Sequence, residues 1–99
     1  MTVVWQGNVH LNDGYSNTSR AYVRGLKKAG IDVVLRPQGF PIPDDLIENY
    51  NKPDPVKGSY YYVFHSLPSL DVVQGQVEKY VKESKKSIYM TVWEGSFFP

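Results

Sequence analysis

The chain contains no cysteine. That single absence excludes a disulfide framework, a thiolate zinc site and a cysteine nucleophile, and it suits a cytoplasmic protein. A strong charge of one sign is also missing: eleven Lys and Arg stand against ten Asp and Glu, for a formal net charge of +1. Nothing in that balance favours nucleic acid or an anionic membrane as a partner. No apolar run approaches the ~20 residues that span a bilayer, and no signal-peptide pattern opens the sequence. Internal repeats, low-complexity tracts, a G-x-G-x-x-G fingerprint and a P-loop are absent as well.

What is present is an ordinary globular composition, 41% hydrophobic and 21% charged over 99 residues, which fits one domain spanning 1–99. The run TVVW stops at Gln6-Gly7 and reads as a buried strand. From Ser16 the pattern turns helical, with Tyr22, Leu26 and Ala29 on one stripe widened by Ala21 and Val23. Lys27 and Lys28 complement the helix dipole, and Gly30 ends the helix. IDVVL is a second strand. Five prolines between 36 and 58 restrict the next segment to a short helix near Asp45 to Tyr50, with Asp45-x-x-Glu48 as a capping box and Leu46, Ile47 and Tyr50 facing inward. The strand YYYVF follows, then a helix from about Ser69 to Ser84, and a last strand SIYMTVW. The alternation predicts a three-layer α/β fold, a half-Rossmann unit with a four-stranded parallel sheet in the order 3-2-1-4.

Ligands of such sheets bind beyond the carboxyl ends of the strands. That rule gathers the loops Gly7 to Tyr15, Arg36 to Pro43, His65 to Ser69 and Glu94 to Pro99 on one edge. In the first loop, Asn12, Gly14, Tyr15 and Ser16 are candidate substrate-binding residues, because free backbone N–H groups at a helix start favour phosphate. Asn-Asp-Gly is equally a common turn. His65 closes its strand just before a proline turn; it is either a satisfied strand-end histidine or a donor to a sugar hydroxyl or phosphate. Glu94 follows the last strand as a hydroxyl acceptor or base, or as a solvated strand end. These two are the candidate catalytic residues. Only His10, Asp13 and Glu94 could join His65 around a metal, without regular ligand spacing, so neither metal nor cofactor is expected. Tyr60 to Tyr62 read as core packing, and the lysines at 79, 82, 85 and 86 as a dipole complement.

DGYSNTSRAYVRGLKKAGIDVVL resembles the first loop, helix and second strand of retaining glycosyltransferases with the two-Rossmann-domain (GT-B) architecture. VFHSLPS is similar to that family's strand ending in a histidine before a proline turn, and IYMTVWEGSFFP to its following strand. The resemblance implies an acceptor-side, N-terminal domain. In it the Gly14 loop lies against the donor diphosphate or the acceptor, and His65 reaches toward the transferred sugar and its phosphate. Glu94 shares that edge. The partners implied are a nucleotide-sugar or a sugar acceptor. The family's second Rossmann domain, which holds the nucleotide-sugar with a glutamate pair, has no counterpart here. The sequence therefore reads as a fragment, a reduced form or a subunit, inactive alone, with Phe97-Phe98-Pro99 an apolar terminus expected to form a homodimer. The alternative is a non-catalytic α/β ligand- or protein-binding module. A phosphoacceptor receiver is disfavoured, because Trp5-Gln6 ends the first strand without an acidic pair.

Overall fold

In this computed structural model, which describes residues 1–12, 14–65 and 77–90, the run TVVWQG forms β1 (Thr2–Gly7) in the interior of a sheet. It is followed by α1 (Gly14–Lys28), β2 (Asp32–Pro37), a 3-10 turn (Asp44–Leu46) running into α2 (Ile47–Asn51), β3 (Tyr60–His65), α3 (Glu78–Glu83) and β4 (Lys86–Met90). All paired strands are parallel. The α/β class and the four-stranded parallel sheet are those the alternation predicts. Among the described residues no helix is long and apolar enough to cross a membrane.

The strand order is 2-1-3-4, not the expected 3-2-1-4. Burial explains the correction. Tyr60, Tyr62, Val63, Phe64 and His65 are buried on both faces of β3, which an edge strand could not offer them. β3 therefore lies between β1 and β4. The free edge of β2, where the expected order would put β3, is closed by side chains. Asn49 Nδ2 donates to the Val33 carbonyl at 2.8 Å and Arg36 Nη1 to the Leu35 carbonyl at 2.9 Å. Covering backbone groups in this way blunts an edge against further pairing.

Two apolar layers sandwich the sheet. Val3, Trp5, Val33, Leu35 and Val63 pack with Val23 and Leu46 on one side; Val4, Val34, Tyr60, Tyr62 and Phe64 pack with Val77 and Tyr80 on the other. The α1 stripe is rotated from the expected one. Ser16, Ser19 and Val23 are the buried residues, and Tyr22 lies half-exposed with its ring stacked on Trp5 at 5.5 Å. Small serines let the helix sit close over the large Trp5 and His65 rings. Gly30 ends α1 as expected, with φ of 85° and its N–H bonded to the Lys27 carbonyl.

The capping box does not form, since the turn begins after Pro43 with no side-chain cap. Asp45 instead pairs with Arg24 at 2.8 Å. Leu46 and Asn49 are the inward residues there, whereas Ile47 and Tyr50 are exposed. Leu35, Trp5, Val63 and Ile88 are in register across the four strands on the α1 face. The first two are fully covered, Val63 nearly so, and Ile88 is 44% exposed. Among the described residues, α1 thus covers β2 and β1 but does not reach β4.

Candidate functional site

In the order 2-1-3-4 the direction of winding reverses between β1 and β3, so the crevice at the carboxyl edge lies between these two strands. Their last residues, Gly7 and His65, are register partners. A Cβ on Gly7 would lie 2.5 Å from the His65 carbonyl oxygen and 3.0 Å from Ser19 Oγ. Only glycine fits where the first strand, the third strand and α1 converge.

His65 is 1% exposed, its ring turned onto α1. Nδ1 is 2.6 Å from Ser19 Oγ, and the indole Nε1 of Trp5 donates to the same oxygen at 3.3 Å. An indole can only donate, so Ser19 accepts that bond and retains its own proton to give. When the Ser19 hydroxyl donates this hydrogen bond to Nδ1, His65 is the Nε2–H tautomer; when His65 is the Nδ1–H tautomer, the same oxygen accepts from both rings. Tyr15 lies beside the imidazole, the ring centroids 5.7 Å apart. Burial lowers the His65 pKa below its ordinary value and favours the neutral ring.

A pH dependence follows from that shift. The unfolded chain takes up the His65 proton first as pH falls through about 6.5, so the contribution is fully present above that pH. It declines below it until the folded pKa is reached. The urea midpoint is expected to fall between pH 8 and pH 5.5, with a shallower slope in His65→Asn. Equal slopes in the two proteins would show that His65 does not titrate differently on folding.

The loop before α1 is held from behind. Arg20 Nη1 donates to the Val9 and Leu11 carbonyls at 2.7 and 2.9 Å, and Nη2 bonds Asn17 Oδ1. Ser16 Oγ, fully buried, accepts from the Leu11 N–H at 3.2 Å. Asn12 and Gly14 are exposed, and a Cβ on Gly14 would meet nothing within 4 Å. Among the described residues, the spot a side chain on Gly14 would fill is therefore open. Of the residues expected at the site, Tyr15 and His65 are in contact, Ser16 braces the loop, and Asn12 and Gly14 stand at its rim. Glu94 lies outside the described residues, as do Asp13 and the turn through Pro68.

On the same edge, beyond β2, lies a network not foreseen from the sequence. Arg36 bonds Asp54 Oδ1 through Nε and Nη2 at 3.1 and 2.8 Å. It also reaches the Tyr80 hydroxyl and the carbonyls of Leu35, Tyr50 and Lys52. Burial pushes the Asp54 carboxyl up, but hydrogen bonds from Tyr80, Arg36 and Lys79 outweigh it and hold the group at about 2. Lys79 is thus an ion-pair partner of Asp54, and Lys85 lies over the Tyr61 ring. An arginine at a strand end was the available signal, but its partners lie up to 44 residues away.

Among the described residues, no three His, Asp or Glu come together to hold a metal ion. No family model, curated protein or solved structure matches the chain.

Proposed function

We propose that the chain is the acceptor-side, Rossmann-like half of a retaining GT-B glycosyltransferase, moving a sugar from a nucleotide-sugar to an acceptor once a second domain completes the cleft. The observation that carries this reading is the meeting of two motifs. The residue opening the helix of DGYSNTSRAYVRGLKK and the histidine of VFHSLPS both stand at the reversal between β1 and β3, with Tyr15 packed on His65. In this reading the start of α1 at Gly14 receives phosphate, helped by the helix dipole. Asn12 lies at the substrate's rim, Ser16 fixes the loop, His65 donates to sugar or phosphate, and Glu94 accepts a hydroxyl. One domain cannot enclose the donor and exclude water, so the chain alone turns over no nucleotide-sugar. It works in the cytoplasm and pairs with a second copy through Phe97 and Phe98.

Titrating the 15N-labelled chain with uridine diphosphate glucose tests this reading. Shifts at the amides of Gly14, Tyr15, Ser16 and His65 are expected, without hydrolysis. Binding confined to other residues would sink the site, and turnover abolished by His65→Ala would sink the half-enzyme reading. The near-complete burial of His65 favours a second reading, a non-catalytic α/β binding module in which Trp5, Ser19 and His65 only pack. A folded chain with no response at the helix start would support it.

A further inference from the structure

Beyond the carboxyl end of β2 lies a pocket of about 550 Å³, lined by Arg36, Pro37, Phe40, Tyr50 and Asn51. That size falls within the range of small-molecule sites, roughly 300–1,000 Å³. Its walls are unusual for a surface loop. Phe40 is 62% exposed and Tyr50 36% exposed, their rings edge-to-face with centroids 5.4 Å apart and planes at 82°. Neither the Tyr50 hydroxyl nor the exposed Asn51 carboxamide has a hydrogen-bond partner among the described residues.

We propose that this pocket binds a neutral pyranose sugar, resting on the exposed aromatic corner of Phe40 and Tyr50 and hydrogen-bonded by Asn51. Three observations select that ligand class. First, among the described residues the one cation lining the pocket is spent: every N–H of Arg36 already meets Asp54, Tyr80 or a backbone carbonyl. A phosphate or carboxylate finds no free charge there. Second, an all-apolar ligand leaves the Tyr50 hydroxyl and the Asn51 amide dehydrated and unpaired, which disfavours it. Third, the two rings stand perpendicular, forming a corner and not a parallel-walled slot, so a flat base has nothing to be sandwiched between. A pyranose is thicker. It can set its partly positive C–H face on the negative face of one ring and turn its hydroxyls toward the amide and the phenol.

The pocket is also held in place. His10, from the loop after β1, lies flat against Gly39, where a Cβ would come within 2.5 Å of the imidazole. The segment carrying Phe40 is thereby docked on the loop that leads to Gly14. Under the transferase reading the pocket is a subsite for a glycan acceptor, and only that role rests on the reading; sugar binding itself does not.

The test uses the intact 99-residue chain and the methyl glycosides of glucose, galactose, mannose and N-acetylglucosamine, followed by 15N–1H NMR and saturation transfer to the pyranose protons. At least one glycoside is expected to shift the amides of Phe40, Tyr50 and Asn51. Phe40→Ala should weaken binding roughly tenfold, and Asn51→Ala should weaken it too; both side chains are exposed, so both variants keep the wild-type spectrum elsewhere. The proposal is overturned if no glycoside perturbs these amides at tens of millimolar, or if Phe40→Ala binds unchanged. It is equally overturned if adenosine or inorganic phosphate binds the same amides more tightly than every glycoside. Silence at Gly14 to Ser16 with a nucleotide-sugar, alongside glycoside binding here, would defeat the transferase reading and leave this one standing.

Discussion

Arg36→Ala is expected to lower the melting temperature by roughly 10–25 °C, at about 4–8 °C per kcal/mol for a domain of this size. The side chain is 19% exposed and ties β2 to the segment after α2 and to α3 at once. Its removal strands the carbonyls of Leu35 and Lys52 and half of the bonds to Asp54. Breaking a fully buried pair costs about 3–5 kcal/mol. Asp54 is 35% exposed and keeps Tyr80 and Lys79, so about 2–4 kcal/mol is the fitting range. Arg36→Lys keeps the charge but not the fork, and should recover less than half of the loss. A thermal melt read by circular dichroism decides it; a shift of a degree or two would mean that the network only decorates the surface. The Asp54 contribution is present above the ordinary carboxylate range near pH 4. It fades as pH falls through about 2, so the wild-type advantage over Arg36→Ala should shrink in strong acid.

Gly7→Ala is expected to destabilise by about 2–3 kcal/mol or more, at the upper end for overpacked sites. The new methyl meets the His65 carbonyl oxygen at 2.5 Å, a backbone atom of the neighbouring strand that cannot rotate away. Relief would have to come from separating β1 from β3 or lifting α1. Gly14→Ala is the matched control: its methyl enters open space, and its φ is not positive. Stability should stay within ~0.5 kcal/mol, the usual range for a surface change. Denaturant midpoints for the two variants should therefore diverge sharply. Similar losses at both positions would contradict the packing described between β1, β3 and α1.

That contrast also marks what the sequence could disclose. Gly14 was legible, as a helix start, because its meaning is local, a glycine following a turn pattern. Gly7 was not, because its partner is a carbonyl in a strand about sixty residues on. The same limit governs Ser19: on a helical wheel it is merely polar, and its burial follows from Trp5 and His65 meeting above the sheet. The position of β3 could have been read. YYYVFH is apolar on both faces, which marks an interior strand and argues against the half-Rossmann order that places it outside. Tyr22 and Ile47 were assigned inward by periodicity alone. Helical spacing fixes which residues share a stripe, but the flanking stripe of small residues lay closer to the sheet. The rule that loops after parallel strands share one edge brought His65 and Tyr15 together but gave no hint of the Phe40–Tyr50 corner, which depends on a loop and a short helix meeting.

The interior position of β1 sets a timetable for synthesis. Thr2 pairs with Asp32 on one flank and with Tyr60 on the other. During synthesis β1 must wait about thirty residues for one neighbour and about sixty for the next. At roughly 5–20 residues per second, the second wait lasts several seconds. During it, β1 and β2 with α1 form a two-stranded unit whose Val3–Trp5 flank is an open parallel edge. That flank stays unpaired until Tyr60 emerges, so the nascent chain is most vulnerable to mispairing before then. The Asn49 and Arg36 side chains can seal the other edge earlier, because α2 is translated before β3.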